Sequence, residues 1–426
     1  MPEILIVADD LSGAADCAVT CATRGVETVV LIGAARPPPD AAAVAVDVNS
    51  RVMAPDEAGR AVAWTVESLH GPDTRILYQK IDSTLRGNWA HELVHVRRAI
   101  SRARGSAPLA VVAPAFPGTG RTTRAGRVFV RDVPLEDTET WRREGLRGVA
   151  DIPLRLGAAG LRTELAALGV VRAGVPDLEA RLRQWCEDGI EAVVCDAEHE
   201  DDLAVIAAAS RRDPVLHVGS AGLMRALAAG LDIRVPVRMA GIEAERPILT
   251  VVGSASEVSH VQFETLACEP DVTALMVPPR ILRLGAGTAE ARDIGRELDS
   301  ALASGGDVAL AIGHESGIDL GEGARLAAAL AALIAPRLPR LGGLVMTGGE
   351  TARAVLTAAG IDGLRLRGEV EPGVPYGIGI GAFEIPVVTK AGAFGDRQTL
   401  LRCCAALRQG RGIAPTLAAV DDPTER

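Results

Sequence analysis

Aromatic residues make up only 3% of this 426-residue chain, against 48% hydrophobic residues overall. A core without bulky rings must be filled by Ala, Val and Leu, which suits helices packed closely on a parallel sheet. None of Cys17, Cys21, Cys186, Cys195, Cys268, Cys403 and Cys404 forms a C-x-x-C pair. The scatter speaks against a disulfide framework and for a reduced, cytoplasmic protein. Positive charge is not in excess either: the formal net charge is -10 and the pI about 5.4. That disfavours nonspecific attraction to nucleic acid or anionic membranes while leaving room for a local cationic pocket. The most apolar long stretch, Leu326 to Ala335, is far too short to span a bilayer, and MPEILIVADD carries acids where a secretory signal would not. No G-x-x-x-x-G-K-[ST] occurs, which excludes a P-loop, and no G-x-G-x-x-G follows the first strand, which counts against an NAD(P)-dependent oxidoreductase. GIGIGA at Gly377 to Ala382 is no substitute, because no helical pattern follows it.

What is present is a repeated unit: an apolar run, a polar tip, then helical spacing. The length favours more than one core. The pattern predicts an α/β protein of two domains, each a mostly parallel sheet flanked by helices. They would span 1–235 and 247–412, with a linker over 236–246, a frayed tail over 413–426 and the active site in the interdomain cleft. Strands are expected at Ile4 to Ala8, Glu27 to Gly33, Ala43 to Arg51, Arg75 to Gln79 and GVVRA after Leu168, with a helix from Pro55 to Leu69.

The richest tip is KIDSTLRGN, Lys80 to Asn88, after which Trp89, Leu93, Val96 and Ile100 restart helical spacing. Its Lys80, Asp82, Ser83, Thr84, Arg86 and Asn88 place two cations, a carboxylate, two hydroxyls and an amide where an open sheet binds ligands. Ser83 or Thr84 could instead merely cap the helix. Asp9 and Asp10 end the first strand, and one of them could likewise be a cap. Arg51 closes the third strand. In PAFPGTGRTTRAG, the glycines and Arg121 could cradle an anion, or the segment could be an ordinary connection. VFVRDV beyond it alternates like an exposed ribbon. In the second half, Gly348 and Gly349 give the sharpest phosphate signal, allowing close backbone approach where Glu350 and Thr351 open a helix. HELVH, His91 to His95, matches the zinc-protease helix in its fixed positions but lacks the metzincin extension.

ADDLSGAADCA, the Arg51 tip, KIDSTLRGN, PAFPGTGRTTRAG, GSAGL, VVGSAS, TGGET, EPGVP and KAGAFGD occur in this order. Together they resemble the four-carbon acid sugar kinase family over nearly the whole chain. The resemblance implies ATP-dependent phosphorylation of the terminal hydroxyl of a tetronate such as threonate, erythronate or 3-oxo-tetronate. Carried over by motif, the substrate would meet Asp9 or Asp10, Arg51, and Lys80, Ile81, Asp82 and Ser83. ATP would meet Ser254 or Ser256, Gly348, Gly349, Glu350, Thr351 and Gly392, with Gly395 of KAGAFGD close by. Ala393 departs from the second glycine that relatives often carry. Arg51, Lys80 or Arg86 would supply the cation for the sugar carboxylate, Asp82 with Lys80 would serve catalysis, and Mg²⁺ would arrive with the nucleotide. The partners expected are a small sugar acid and ATP, with no nucleic acid and no membrane. A homodimer is left open. The alternatives are a zinc hydrolase built on HELVH and a sugar-acid sensor without turnover.

Overall fold

Short apolar runs bounded by polar tips become buried strands here, because strand residues flanked by helices on both faces must be apolar throughout. The structure, a computed structural model, describes residues 1–410 apart from 34, 212–213, 232–246, 255, 286, 314 and 316–321, and apart from the side chain of Arg143. The expected linker over 236–246 and tail over 413–426 therefore lie outside the described residues.

In chain order the strands of the first half are β1 (Ile4–Ala8), β2 (Thr28–Ile32), β3 (Ala43–Asp47), β4 (Ile76–Lys80), β5 (Ala110–Ala113), β6 (Arg121–Arg124), β7 (Arg127–Val130), β8 (Val133–Pro134), β9 (Thr163–Ala166), β10 (Ala192–Cys195) and β11 (Leu216–Gly219). Those of the second half are β12 (Ile248–Val252), β13 (Val272–Val277), β14 (Asp307–Ile312), β15 (Gly343–Thr347), β16 (Ile361–Glu371), β17 (Val374–Gly381) and β18 (Ile385–Lys390). The helices needed most below are α1 (Leu11–Ala22), α2 (Pro55–Leu69) and α3 (Trp89–Arg104).

The first half forms a parallel array in the order β2-β3-β1-β4-β11-β5-β10-β9, the second another in the order β13-β14-β12-β15-β18. The two are not separate sheets. The hairpin β16–β17, turning at Pro372 and Gly373 (φ 81°), pairs antiparallel with β18 on one side and with β2 on the other, making one sheet of fifteen strands. Pro before a glycine at positive φ is what such a tight turn requires. Strands β6 to β8 form the small ribbon that VFVRDV announced.

Two expected strands move. GVVRA contains the end of a short helix, Leu168–Val171, and the neighbouring strand is the alternating TELA of β9. A run this short carries no period that separates strand from helix. The third strand stops at Asp47 because Asn49 takes a left-handed conformation (φ 57°) and turns the chain into the 3-10 segment Ser50–Val52. Among the described residues no helix is long and apolar enough to cross a membrane.

The joint between the arrays is tight. Gly363 of β16 faces Leu31 of β2, and a Cβ there would lie 2.5 Å from the Val30 carbonyl oxygen. Gly363→Ala is therefore expected to destabilise the protein by about 2–3 kcal/mol. The denaturant midpoint should fall accordingly, and an unchanged midpoint would mean the joint bears no strain.

Candidate functional site

Ligand crevices in open α/β sheets form where neighbouring connections leave in opposite directions, outside the carboxyl ends of the strands. This sheet has two such points. From β1 the chain runs to β2 and β3 on one side, with β4 on the other. From β12 it runs to β13 and β14 on one side, with β15 on the other. Predicted motifs sit at the ends of these four strands, β1, β4, β12 and β15, with Arg51 beyond β3 and Gly392 beyond β18 beside them.

At the first point, Asp9 and Asp10 leave β1. Asp10 is the N-cap of α1, accepting from the Gly13 amide at 3.0 Å. Arg51 holds both carboxylates, through Nε to Asp9 Oδ2 at 2.7 Å and through Nη2 to Asp10 Oδ1 at 3.1 Å. Asp9 Oδ1 is buried without a partner, and burial followed by the neighbouring Asp10 raises its pKa against the pull of Arg51. Lys80, only 6% exposed, donates from Nζ to the Ile81 carbonyl at 2.9 Å.

The turn after Lys80 is over-determined. Ile81 donates its N–H to the Gly219 carbonyl at 2.8 Å, and Leu85 takes a left-handed conformation (φ 57°) with its side chain fully buried. Burying a leucine contributes about 2 kcal/mol, which outweighs the roughly 1 kcal/mol that left-handed backbone costs a non-glycine residue. Gly87 (φ 81°) lies against the Asp9 carboxylate, where a Cβ would come 3.1 Å from Oδ2. Neither Ser83 nor Thr84 caps α3. Asn88 takes the N-cap position and spends its amide on the carbonyls of Ser50 (3.0 Å) and Met53 (2.9 Å), tying the turn to the Arg51 segment.

Asp82 is fully engaged. Arg86 forks onto it at 2.7 and 3.1 Å, and both the hydroxyl and the amide of Thr84 donate to Oδ2. Burial alone would raise its pKa, but Arg86, with Arg51 and Thr84, holds it well below the usual carboxylate range. Such a carboxylate orients its neighbours and is a poor proton acceptor.

At the second point, Gly348 (φ 92°) and Gly349 open the helix Gly349–Ala358. Gly348 lies beside Ser254, a Cβ on Gly253 would overlap the Thr351 hydroxyl, and one on Gly392 would overlap that of Ser254 and approach Ser256. Ser254, Ser256, Gly348, Thr351 and Gly392 thus form one small-residue floor with helix N–H groups beside it. Gly395 stands apart, packed on Thr399 and Glu371. The two points meet at Gly349: a Cβ there would come within 3.1 Å of Asp10 Oδ2 and of Ser12 Oγ. The Glu350 carboxyl shares this junction. Desolvation and then Glu144 and Asp10 push its pKa up, against Arg51 and Arg86.

Several residues of the site were not foreseen. Arg353, one turn beyond Gly349, pairs with the buried Asp47 at the end of β3. Lys390, 1% exposed, donates to the Gly392 carbonyl at 3.1 Å, and burial brings its pKa down to about 8. Glu92 is the acid of HELVH, and it turns inward. His91 is exposed, the His95 ring lies flat against Gly59 of α2, and Glu92 is 1% exposed, receiving the Gln79 amide at 3.3 Å. The three side chains do not converge, so this donor set does not fit zinc and the hydrolase reading fails on geometry. Its position was legible in the sequence: Glu92 stands three residues after Trp89 and four before Val96, on the apolar side of α3.

Burial first and then the Asp9 carboxylate push the Glu92 pKa up to about 7, with Gln79 and Arg51 acting the other way. A folded-state pKa above the unfolded value means that the fold binds this proton more tightly. The resulting stabilisation is complete below about pH 4.5 and is lost as pH rises through about 7. Glu92→Gln removes this dependence. Relative to wild type its stability should climb by up to roughly 3 kcal/mol between pH 4.5 and 8. Parallel denaturant curves for the two proteins at both pH values would refute the assignment.

Residues 4–227 match the family model of a sugar-binding N-terminal domain, and residues 249–400 that of a nucleotide-binding C-terminal domain. A D-threonate kinase of Cupriavidus necator is 46% identical over 423 residues, covering 96% of this chain and 98% of that protein. A D-threonate kinase of Salmonella typhimurium is 32% identical over 435 residues, covering 95% and 97%. A solved structure from Salmonella typhimurium superposes with a TM-score of 0.78 at 22% identity, covering 94% of this chain and 98% of that one, and so shares the fold.

Proposed function

The chain belongs to the four-carbon acid sugar kinase family, and from that premise we propose that it transfers the γ-phosphoryl group of ATP to the terminal 4-hydroxyl of D-threonate. The sugar acid would bind in the first half, residues 1–235, and ATP in the second, 247–412, with the reaction in the crevice between them. The observation that carries the reading is the approach of Gly349 to Asp10 and Ser12, which brings a phosphate-type helix N-terminus to the acidic strand end. D-threonate is preferred over erythronate or a 3-oxo acid because three relatives above 30% identity are D-threonate kinases.

Phosphoryl transfer asks the protein for alignment and charge neutralisation rather than covalent chemistry. Asp82, locked by Arg86 and Thr84, is assigned to orienting the sugar. Asp9 and Asp10 are the carboxylates assigned to the reacting hydroxyl, and Asp10 stands at the junction. Lys80 uses one N–H on Ile81 and directs the remaining charge of its ammonium toward the transferred group. Ser254, Ser256, Gly348, Gly349, Thr351 and Gly392 would cradle the nucleotide phosphates, with Glu350 at the rim. Mg²⁺ fits as a companion of the nucleotide. Among the described residues no three His, Cys, Asp or Glu side chains form a cage, and this ion commonly takes one or two carboxylates plus phosphates. Asp10 is the carboxylate placed for it, and the charge it supplies would offset that of the polyphosphate.

A coupled ADP assay with ATP, Mg²⁺ and a panel of tetronates tests the reading. ADP release dependent on D-threonate is expected. Tetronate binding without ADP release would identify a sensor instead. Asp82→Asn should lower kcat about 100-fold with the fold intact, through lost alignment. Gly392→Ala should raise the KM for ATP at least about 10-fold, because the new methyl displaces Ser254. Wild-type kinetics in either variant would remove that residue from the site.

A further inference from the structure

The guanidiniums at the substrate end are already committed to protein carboxylates, Arg51 to Asp9 and Asp10 and Arg86 to Asp82 and Glu144, and the Lys80 ammonium is assigned to the transferred group. A sugar acid brings one more negative charge, and burying it without a cation is costly. One guanidinium near the site lacks a carboxylate. Arg121 opens β6 just past the turn Phe116 to Gly120, whose ends are clamped by Phe116 N–H to Arg121 O at 2.8 Å and Arg121 N–H to Phe116 O at 3.1 Å. Its Nη1 donates to the Thr119 carbonyl at 2.7 Å, while Nε is buried without a partner. Among the described residues no carboxylate pairs with it. Of its neighbours on the ribbon, Arg124 pairs with Asp132 and Glu198 and Arg127 with Glu136, while Arg131, which also has no carboxylate partner among the described residues, is exposed.

Its place along the site is also defined. Burial holds the Arg121 pKa below the usual range, and the charges acting on it are those of Asp82, Arg131 and Arg86. Arg51, by contrast, responds to Asp10, Asp9 and Asp82. In the sheet order β1-β4-β11-β5, Asp10 leaves β1, Asp82 follows β4 and Arg121 follows the turn after β5, so Asp82 lies between Asp10 with Gly349 on one side and Arg121 on the other. A four-carbon acid has the same polarity, with a hydroxyl at one terminus and a carboxylate at the other.

We propose that Arg121 receives the C1 carboxylate of the sugar acid and so turns its terminal hydroxyl toward Asp10 and Gly349. This rests on the kinase reading above and adds to it the residue that selects acids over neutral polyols. A planar guanidinium suits a carboxylate because two parallel N–H groups match its two oxygens.

The test compares wild type, Arg121→Gln and Arg121→Lys on D-threonate and on its neutral amide, which keeps every hydroxyl. Arg121→Gln should lose about 10- to 100-fold in kcat/KM on threonate, chiefly through KM. Its rate on the amide and its KM for ATP should stay at wild-type values. Arg121→Lys, keeping charge without the fork, should fall between. Equal losses on both substrates, no loss on threonate, or a raised KM for ATP would overturn the assignment. Should Arg121→Gln fail to fold by thermal melting, Arg121→Lys carries the same comparison. If wild type releases no ADP with any tetronate, the kinase reading is what fails. Thermal-shift titration of wild type and the Gln variant with threonate and its amide then decides Arg121 separately.

Discussion

The close approach of Gly349 to the amino end of α1 is the constraint on which the rest of the site depends. Glycine is needed there because the gap to Asp10 and Ser12 leaves no comfortable room for a methyl, and the helix N–H groups must stay open toward a ligand. The contact is secured from behind. Arg353, on the same helix, reaches the buried carboxylate of Asp47, which is also the acceptor of the Asn49 amide at 2.9 Å. Asn49 in turn sets the left-handed turn that delivers Arg51. A displacement at the twin glycines is therefore felt at the cation that grips Asp9 and Asp10. Removing Arg353 would take away the main group that keeps the buried Asp47 carboxyl ionised, so Asp47 would take up a proton and the tie between the halves would be lost.

The electrostatics follow a consistent rule. Each carboxylate at the sugar end is offset by a guanidinium, and the buried ones diverge according to how complete that offset is. Asp82, bound by a forked Arg86, is held well down. Asp47 and Asp16 rise to about 6, because burial outweighs Arg353 in one case and Arg225 in the other. Arg225 also reaches Glu369 at 3.0 Å, tying the tip of the β16–β17 hairpin to the first half. The chain as a whole is acidic, yet Arg51, Lys80 and Arg86 stand together at the ends of β3 and β4. Net charge describes the surface and says little about such a pocket.

Much of this was legible in the sequence. Asp9, Asp10, Lys80, Ser254 and Gly348 could be placed at strand ends because apolar runs of four to six residues stop abruptly at them. The floor of small residues was readable from the glycines. Three things were not. The register of β16 on β2 depends on a pairing between residues more than three hundred positions apart; β16 alternates, with Leu364, Leu366, Gly368 and Val370 buried between half-buried Arg365, Arg367, Glu369 and Glu371, but alternation does not say which strand it pairs with. The saturation of Asp82 depends on side-chain geometry, so its expected share in proton transfer could not be weighed from residue type. The positions of Glu92 on the apolar side of α3 and of Asp47 at a strand tip were legible, but their partners Gln79 and Arg353 were not, because such pairings depend on the folded geometry.

The continuous sheet bears on how the two halves could move. Domains joined by a free linker close about a hinge, and the sequence suggested that arrangement. Here β16 is hydrogen-bonded to β2 while its partner β17 is bonded to β18, so the halves share backbone pairing as well as a connecting segment. Relative motion must then be taken up as twist within the hairpin, a soft coordinate in two-stranded ribbons, without breaking ladder bonds. The irregular registers between Ile361 and Gly363, Leu366 and Gly368, and Glu369 and Glu371 lie in this hairpin, and bulges are where a strand gains local twist. The hairpin that joins the two halves is thus also where the sheet carries its irregular registers, so any adjustment between them is most easily taken up there.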